Sequence, residues 1–475
     1  MNTMAYDKTD AKSIEQYGQQ LIGKNFQYII DSDRKEYYTE ELKASTSTYL
    51  NIKNEERKNY KGKLGQLVEE KYFNYRCNSS KDADFKEAGV ELKVTPYKIN
   101  KNGNIVAKER VSLTMIDYMQ VVNENFENSH LWHKCKCILF IWYLFNGKEN
   151  NPLNQIINYV QLFTPPKEDL KIIMHDYEII VAKIKAGKAH ELSEGDTMYL
   201  GAAPKASSIE DVRQQPFSNI PARLRAFTYK NSYMTYLLHN YFIKGKDIYT
   251  QIMPEDCNNT FEDYVIQKIE KFKNWSIDDL SKKFELDIKA KNTPSNIAFR
   301  ILGIKNNKAE EFTKANIIVK AIRIEKKGTI KQNMSFPAFR FNELINEAWD
   351  TSSFGCYLRD SKFFFVVYKF DSSGILRLKG CQFWNIPYND LENDVKSVWN
   401  KTVETIKNGL KINMINGKFS SNLPKMKDNW ICHVRPHAKD SKDVDMLPDG
   451  RIYPKQCFWL SSKYILSQLD EKLKN

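Results

Sequence analysis

The sequence has no Cys-x-x-Cys pair. Its eight cysteines, Cys77, Cys135, Cys137, Cys257, Cys356, Cys381, Cys432 and Cys457, are scattered. That argues against a zinc ribbon and for free buried thiols. Cys432, His433 and His437 lie close together, but no well-spaced partner set completes a metal site around them. A bilayer-length apolar run is also missing. The longest, Cys137-Ile-Leu-Phe-Ile-Trp-Tyr-Leu-Phe145, is too short to span a membrane and reads as a buried central strand. Met1 to Lys12 is polar and lacks the apolar core of a signal peptide. A soluble cytoplasmic protein with no membrane partner is expected. Acidic residues are outnumbered, 59 Asp and Glu against 72 Lys and Arg, giving a net charge of +13 and a pI of about 9.0. Such an imbalance favours a polyanionic partner, either nucleic acid or an anionic surface. Hydrophobic residues at 41% and aromatics at 13% argue against disorder, and 475 residues favour two domains over one.

The chemistry is expected in the stretch Asp82-Ala-Asp84-Phe-Lys-Glu-Ala-Gly-Val-Glu91-Leu-Lys93. Val90-Glu-Leu-Lys-Val94 alternates apolar and charged, as a half-buried strand does. Val90, Leu92 and Val94 then face a core, while Glu91 and Lys93 share the other face. Ala88-Gly89 makes a turn easy, and across it Asp84 can meet Glu91. Carboxylate oxygens of this kind hold Mg²⁺, which works from one or two carboxylates plus substrate phosphate. A Lys two residues on can orient the attacking water and offset charge on the phosphorus. On spacing alone the pattern also fits an edge strand with a solvated charged face.

Upstream, Leu64, Leu67, Val68 and Tyr72 make an apolar helical stripe. Lys61, Gly65 and Glu69 lie on a second face, which could point at the charged strand. Asn100-Lys-Asn-Gly-Asn104 reads as a hairpin turn leading to a strand at 109–115. Tyr118 to Glu127 reads as helix, Ser13 to Asn25 as another, and Gly187 to Gly195 as a polar turn. Strands mixed with helices imply an α/β domain with a central mixed sheet. The best linkers are Lys244-Gly-Lys-Asp and Pro254-Glu-Asp-Cys-Asn-Asn. Domains of 1–245 and 250–475 follow.

The second half repeats the first in order. Asp84 to Lys93 lies over Glu311-Phe-Thr-Lys-Ala-Asn-Ile-Ile-Val-Lys320 without a gap. A basic Gly turn and an apolar strand (Phe363 to Tyr368) come next. Pro204-Lys-Ala206 matches Pro436-His-Ala438, and Phe227 to Tyr233 matches Phe458 to Tyr464, at near-equal spacings. Two copies of one fold are expected. Glu91 becomes Ile318, and Ile cannot hold a metal, so the second copy is expected to be catalytically dead.

With Lys61-Gly-x-x-Gly-x-Leu-x-Glu69, Asp84-x6-Glu91-Leu-Lys93 and Ser129-His-Leu-Trp-His-Lys134, the chain resembles the MutH family of Mg²⁺-dependent, GATC-specific endonucleases. The duplication, with Gly187-Lys-Ala-His-Glu-Leu-Ser-Glu-Gly195 and Ile431-Cys-His-Val-Arg-Pro-His437, resembles its type II restriction branch, the Sau-three-A type. The resemblance implies two tandem restriction-endonuclease-like α/β domains of the PD-(D/E)xK class, the second degenerate. It implies Asp84 and Glu91 as metal ligands, Lys93 as catalytic lysine and Glu69 assisting. Lys61 and Lys134 would serve near the reacting phosphate. Lys205 matches a lysine that touches the recognition sequence, and Arg435 and His437 are read as DNA-contacting residues of the second half. The family's hemimethylation-sensing nickase has a Tyr near the position of Thr228, or of Tyr229.

The leading reading is a type II restriction endonuclease cutting duplex DNA at GATC. It would be a monomer in solution and a dimer on DNA, activated by a second GATC bound to its C-terminal half. The alternatives are a strand-specific repair nickase and a non-catalytic DNA-binding protein with two nuclease-like folds.

Overall fold

The apolar run at 137–145 lies where its composition requires, in the interior of a sheet. In the computed structural model the described residues are 5–36, 62–75, 82–100, 102–149, 151–205, 211–243, 249–254, 256–306, 309–415, 418–440 and 442–475. Contacts divide the chain into two compact units, Met1–His190 with Thr197–Ile248, and Glu191–Asp196 with Tyr249–Asn475.

In the first unit the strands are β1 (Glu91–Ile99), β2 (Ile105–Ala107), β3 (Val111–Met115), β4 (Ile138–Leu144) and β5 (Ile157–Phe163), then β6 (Leu200–Pro204), β7 (Val212–Gln215), β8 (Ser218–Arg223) and β9 (Arg225–Tyr229). A mixed sheet runs β2-β1-β4-β5, with β1 parallel to β4 and the other pairs antiparallel. β4 is interior, and Ile138 to Trp142 are wholly buried. Alternation sorts its two faces. Leu139 and Ile141 join Val90 and Leu92 in a core with Ile14, Phe26, Leu64 and Val68 from the helices Ala11–Gln19, Phe26–Glu36 and Lys63–Leu67 and the π turn Val68–Tyr72. Phe140 and Trp142 pack on Phe242 on the other side. A second sheet runs β3-β9-β6, and β7 with β8 form a separate hairpin.

The second unit contains β10 (Ile317–Ile324), β11 (Met334–Phe339), β12 (Lys362–Phe370), β13 (Leu376–Trp384), β14 (Ile412–Ile415) and β15 (Lys418–Ser421), then β16 (Cys432–Pro436), β17 (Val444–Met446), β18 (Ile452–Pro454) and β19 (Gln456–Leu460). β10 is parallel to β12, which is antiparallel to β13. A second sheet runs β11-β19-β16, and β17 with β18 form a hairpin. Apart from β2, which has no counterpart in this sheet, and the added pair of β14 with β15, this is the strand plan of the first unit again. The matched prolines end β6 and β16, and Phe227 and Phe458 stand third in β9 and β19.

Three local expectations are corrected. The turn at 100–104 closes β1 onto β2, not onto the strand at 109–115; Val111 to Met115 pair instead with β9 in the other sheet. The helix expected over 118–127 stops after Tyr118–Val121. Asn125 accepts from the Asn128 amide to make a 3₁₀ turn, and Ser129 accepts from the Trp132 amide to start the helix His130–Cys135. Side-chain capping thus breaks one helix into pieces. Finally, a boundary at 245–250 does not account for residues 191–196, which cluster with the second unit. Gly195 fits there because it lacks a Cβ, which would lie 2.9 Å from the Cβ of Asn385. Lys362 Nζ donates to the Asp196 carbonyl at 3.3 Å. The linker candidate at 244–247 lies outside the described residues. No helix among the described residues is long and apolar enough to cross a membrane.

Candidate active site

Asp84 is brought to Glu91 by a short antiparallel bridge. The Phe85 amide donates to Val90 O at 2.8 Å and the Val90 amide to Phe85 O at 3.2 Å, with Gly89 at a φ of 65° inside the turn. A side chain at that φ would be strained, which is why the turn needs glycine. The Asp84 amide donates to Glu91 Oε2 at 3.3 Å, and the Leu92 amide donates to Asp84 Oδ2 at 2.9 Å. Two carboxylates thus meet at the start of β1.

Two lysines clasp the inner one. Lys93 Nζ donates to Glu91 Oε1 at 2.6 Å, as same-face residues of one strand allow. Lys134 Nζ donates to Glu91 Oε2 at 2.9 Å and lies 3.9 Å from Asp84 Oδ1. Lys134 arrives on the helix His130–Cys135, and just beyond it the Cys137 carbonyl accepts from the Glu91 amide at 2.9 Å. Glu91 is only 2% exposed, and burying such a charge is tolerable because both of its oxygens are paired. Asp84 has its pKa raised, first by burial and next by the Glu91 charge; Lys93, the Leu92 amide and Lys134 pull it back.

Lys61 lies outside the described residues. Glu69 stands in the π turn Val68–Tyr72, after a helix that packs beside β1. It does not complete a three-ligand group with the pair, since no group of three His, Cys, Asp or Glu among the described residues could hold a metal. Lys205 is exposed just past β6, its amide donating to Leu224 O at 2.9 Å. In the second unit Arg435 and His437 are both exposed and both lie against Trp459, with centroid distances of 5.4 Å and 5.9 Å. Thr228 and Tyr229 are wholly buried in β9, so neither side chain is at the surface.

The model for the DNA mismatch repair enzyme MutH matches residues 73–176, a span that holds Asp84, Glu91, Lys93 and Lys134. The type II restriction enzyme Sau3AI of Staphylococcus aureus is 35% identical over 461 residues, 88% of this chain and 94% of that one. The chain belongs to the family of MutH-like type II restriction endonucleases. More distant relatives cover only part of it. The DNA mismatch repair protein MutH of Shewanella woodyi is 28% identical over 155 residues, 32% of this chain and 64% of its own length. That of Shewanella baltica strain OS195 is 26% identical over 186 residues, 38% of this chain and 80% of its own. A restriction endonuclease of this kind acts on duplex DNA and uses a divalent metal. The donor set suits one. Asp84 and Glu91 are hard oxygen donors, close enough for the charge of one to raise the pKa of the other, and a divalent cation held by them would relieve that repulsion.

Proposed function

We propose that this restriction endonuclease hydrolyses duplex DNA at GATC, with Mg²⁺ as its metal and Asp84 and Glu91 as the ligands. The carrying observation is the grouping of both carboxylates with Lys93 and Lys134, held by bonds of 2.6 to 3.3 Å. Bound there, Mg²⁺ would supply positive charge to the phosphate and make water more acidic. Lys93 orients the attacking water through its contact with Glu91. Lys134 meets the charge that grows on the phosphate oxygens. Water loses a proton to solvent as it attacks the phosphorus in line. The bond to the 3′ oxygen breaks, that oxygen takes up a proton from solvent to become the 3′ hydroxyl, and the product keeps a 5′-phosphate. Glu69 and Lys61 assist near the metal and the reacting phosphate. Lys205 reaches the recognition sequence.

The second unit, on this reading, is a DNA-binding effector without catalytic carboxylates. Ile318 stands where Glu91 does, and exposed Arg435 and His437 line one aromatic side chain. A second GATC duplex there activates the first unit. One live site cuts one strand at a time, so two chains meet on the palindrome for a double-strand break.

Digestion of a GATC plasmid with Mg²⁺, followed by end mapping, tests the core of this. Linear products with 5′-phosphates and four-base overhangs beginning at GATC are expected. Ends at another sequence would overturn the specificity. Accumulation of open circles without linear product would assign a nickase.

A further inference from the structure

The hairpin of β7 and β8 carries an aromatic side chain outward. Phe217 at its tip is 74% exposed, and Ile220, Val212 and the neighbouring Met119 are exposed as well. A hollow of about 520 Å³, lined by Met119 and residues 214–221, opens beside it. Pro216 and Phe217 make the two-residue turn, with Phe217 at a φ of 63°. Glycine or asparagine normally takes that position after a proline, and a bulky residue there is strained.

The tip is nonetheless fastened. Gln215 is 5% exposed; its Oε1 accepts from the Ala189 amide at 2.7 Å, and its Nε2 donates to Ile220 O at 2.6 Å and lies 2.9 Å from His190 Nδ1. Gly187 sits under the turn, and a Cβ on it would lie 2.6 Å from the Phe217 carbonyl oxygen. At the foot, Tyr118 Oη donates to Arg223 O at 2.5 Å and the Lys205 amide to Leu224 O at 2.9 Å. A phenyl ring is thus held on a fastened, strained turn and in water, and covering it would be favourable. Strain and exposure together at a rigid tip mark a binding element.

Charge identifies the occupant. The hairpin strands and turn, 212–223, carry Arg213 and Arg223. The one described acidic neighbour in the chain is Asp211 at the foot, away from the tip, and Lys188 is exposed in the loop beneath. A basic ribbon with an apolar point suits a nucleic-acid groove, where inserted apolar side chains unstack a base step. We propose that Phe217 is a wedge that enters the duplex substrate and unstacks a base step beside the recognition sequence. It is a positioning residue, tied to the Lys205 strand end by the hairpin's foot.

The test is Phe217→Gly in the full chain, on GATC duplexes carrying 2-aminopurine at successive positions, with Ca²⁺ replacing Mg²⁺. Glycine takes the positive φ without strain, so the variant should melt at or above the wild-type temperature. Wild type should raise the fluorescence several-fold at one step. Phe217→Gly should lose that signal and cut about tenfold more slowly, and Phe217→Trp should recover both. Equal signal and equal cutting by Phe217→Gly would overturn the proposal. So would unchanged fluorescence with an altered oligomeric state, which would give the tip to a second copy of the chain. Cutting by wild type at a sequence other than GATC would overturn only the specificity proposed above, and the wedge would be scored on that sequence.

Discussion

The two units share a strand plan and differ where their first parallel strand begins. Before β1 the chain makes an open turn that lays Asp84 against Glu91. Before β10 the same stretch is a helix, Glu310–Lys314. Glu311, which aligns with Asp84, is 4% exposed and looks inward. Its carboxylate accepts from the amides of Ile252 and Met253 at 2.9 to 3.1 Å. β10 opens with Ile317 and Ile318, so an isoleucine meets the place of Glu91 whether the strand starts or the ungapped sequence match sets the alignment. Lys320 is half-buried, and burial lowers its pKa. Ile318 packs against the core that Ile322, Ile324 and Phe363 form. Glu311 is thus an internal fastener and Ile318 a packing residue.

The comparison predicts unequal effects. The largest is on chemistry: Asp84→Ala, Glu91→Ala and Lys93→Ala should each lower cleavage by about 10²–10³-fold or more, with GATC binding measured by gel shift largely retained. Most of the activity surviving in Glu91→Ala would break the assignment. Next is the effector role. One-site plasmids should be cut about fivefold or more slowly than two-site plasmids, and added GATC oligonucleotide should rescue them. Equal rates without stimulation would leave the second unit a scaffold. Third, Glu311→Ala should keep the cleavage chemistry and lose stability, by about 1–3 kcal/mol for each buried amide left without its acceptor, read in a denaturant melt. A normally folded Glu311→Ala protein unable to cut would mean the active half was misassigned.

The smallest effect concerns Asp84 and pH. Its folded-state pKa is raised, chiefly by burial, so between its unfolded and folded values the native state holds the extra proton. Stability therefore falls as pH rises through that window and stays lowered above it. Asp84→Asn should be inactive yet melt above wild type at neutral pH, and the gap should close below the unfolded carboxylate range. A gap that widens in acid would contradict the burial argument.

Much of the site was legible because its signals are local. Alternation at Val90 to Val94 sorted core from chemistry, and Lys93 was found by the same count. Four anchors in order disclosed the repeat. What stayed hidden depends on partners distant in sequence. Nothing near Tyr118 announces that Asn125 and Ser129 will recap the chain. Nothing in Glu191–Asp196 points to Lys362 or Asn385. The inward turn of Glu311 follows from the amides of Ile252 and Met253, far upstream. At the β7–β8 hairpin Pro216 signalled a turn, but the exposure of Phe217 depends on Gln215 and Gly187, which only the folded chain brings together.

The clasp on Glu91 makes the resting site a balanced set of charges, two carboxylates against two ammonium groups. A phosphodiester entering alone would tip it negative, and a divalent cation entering alone would tip it strongly positive. Bound together their opposite charges offset each other, leaving less excess charge than the cation alone, so each should bind more tightly once the other is present, and scarce metal should become limiting only where DNA is scarce as well.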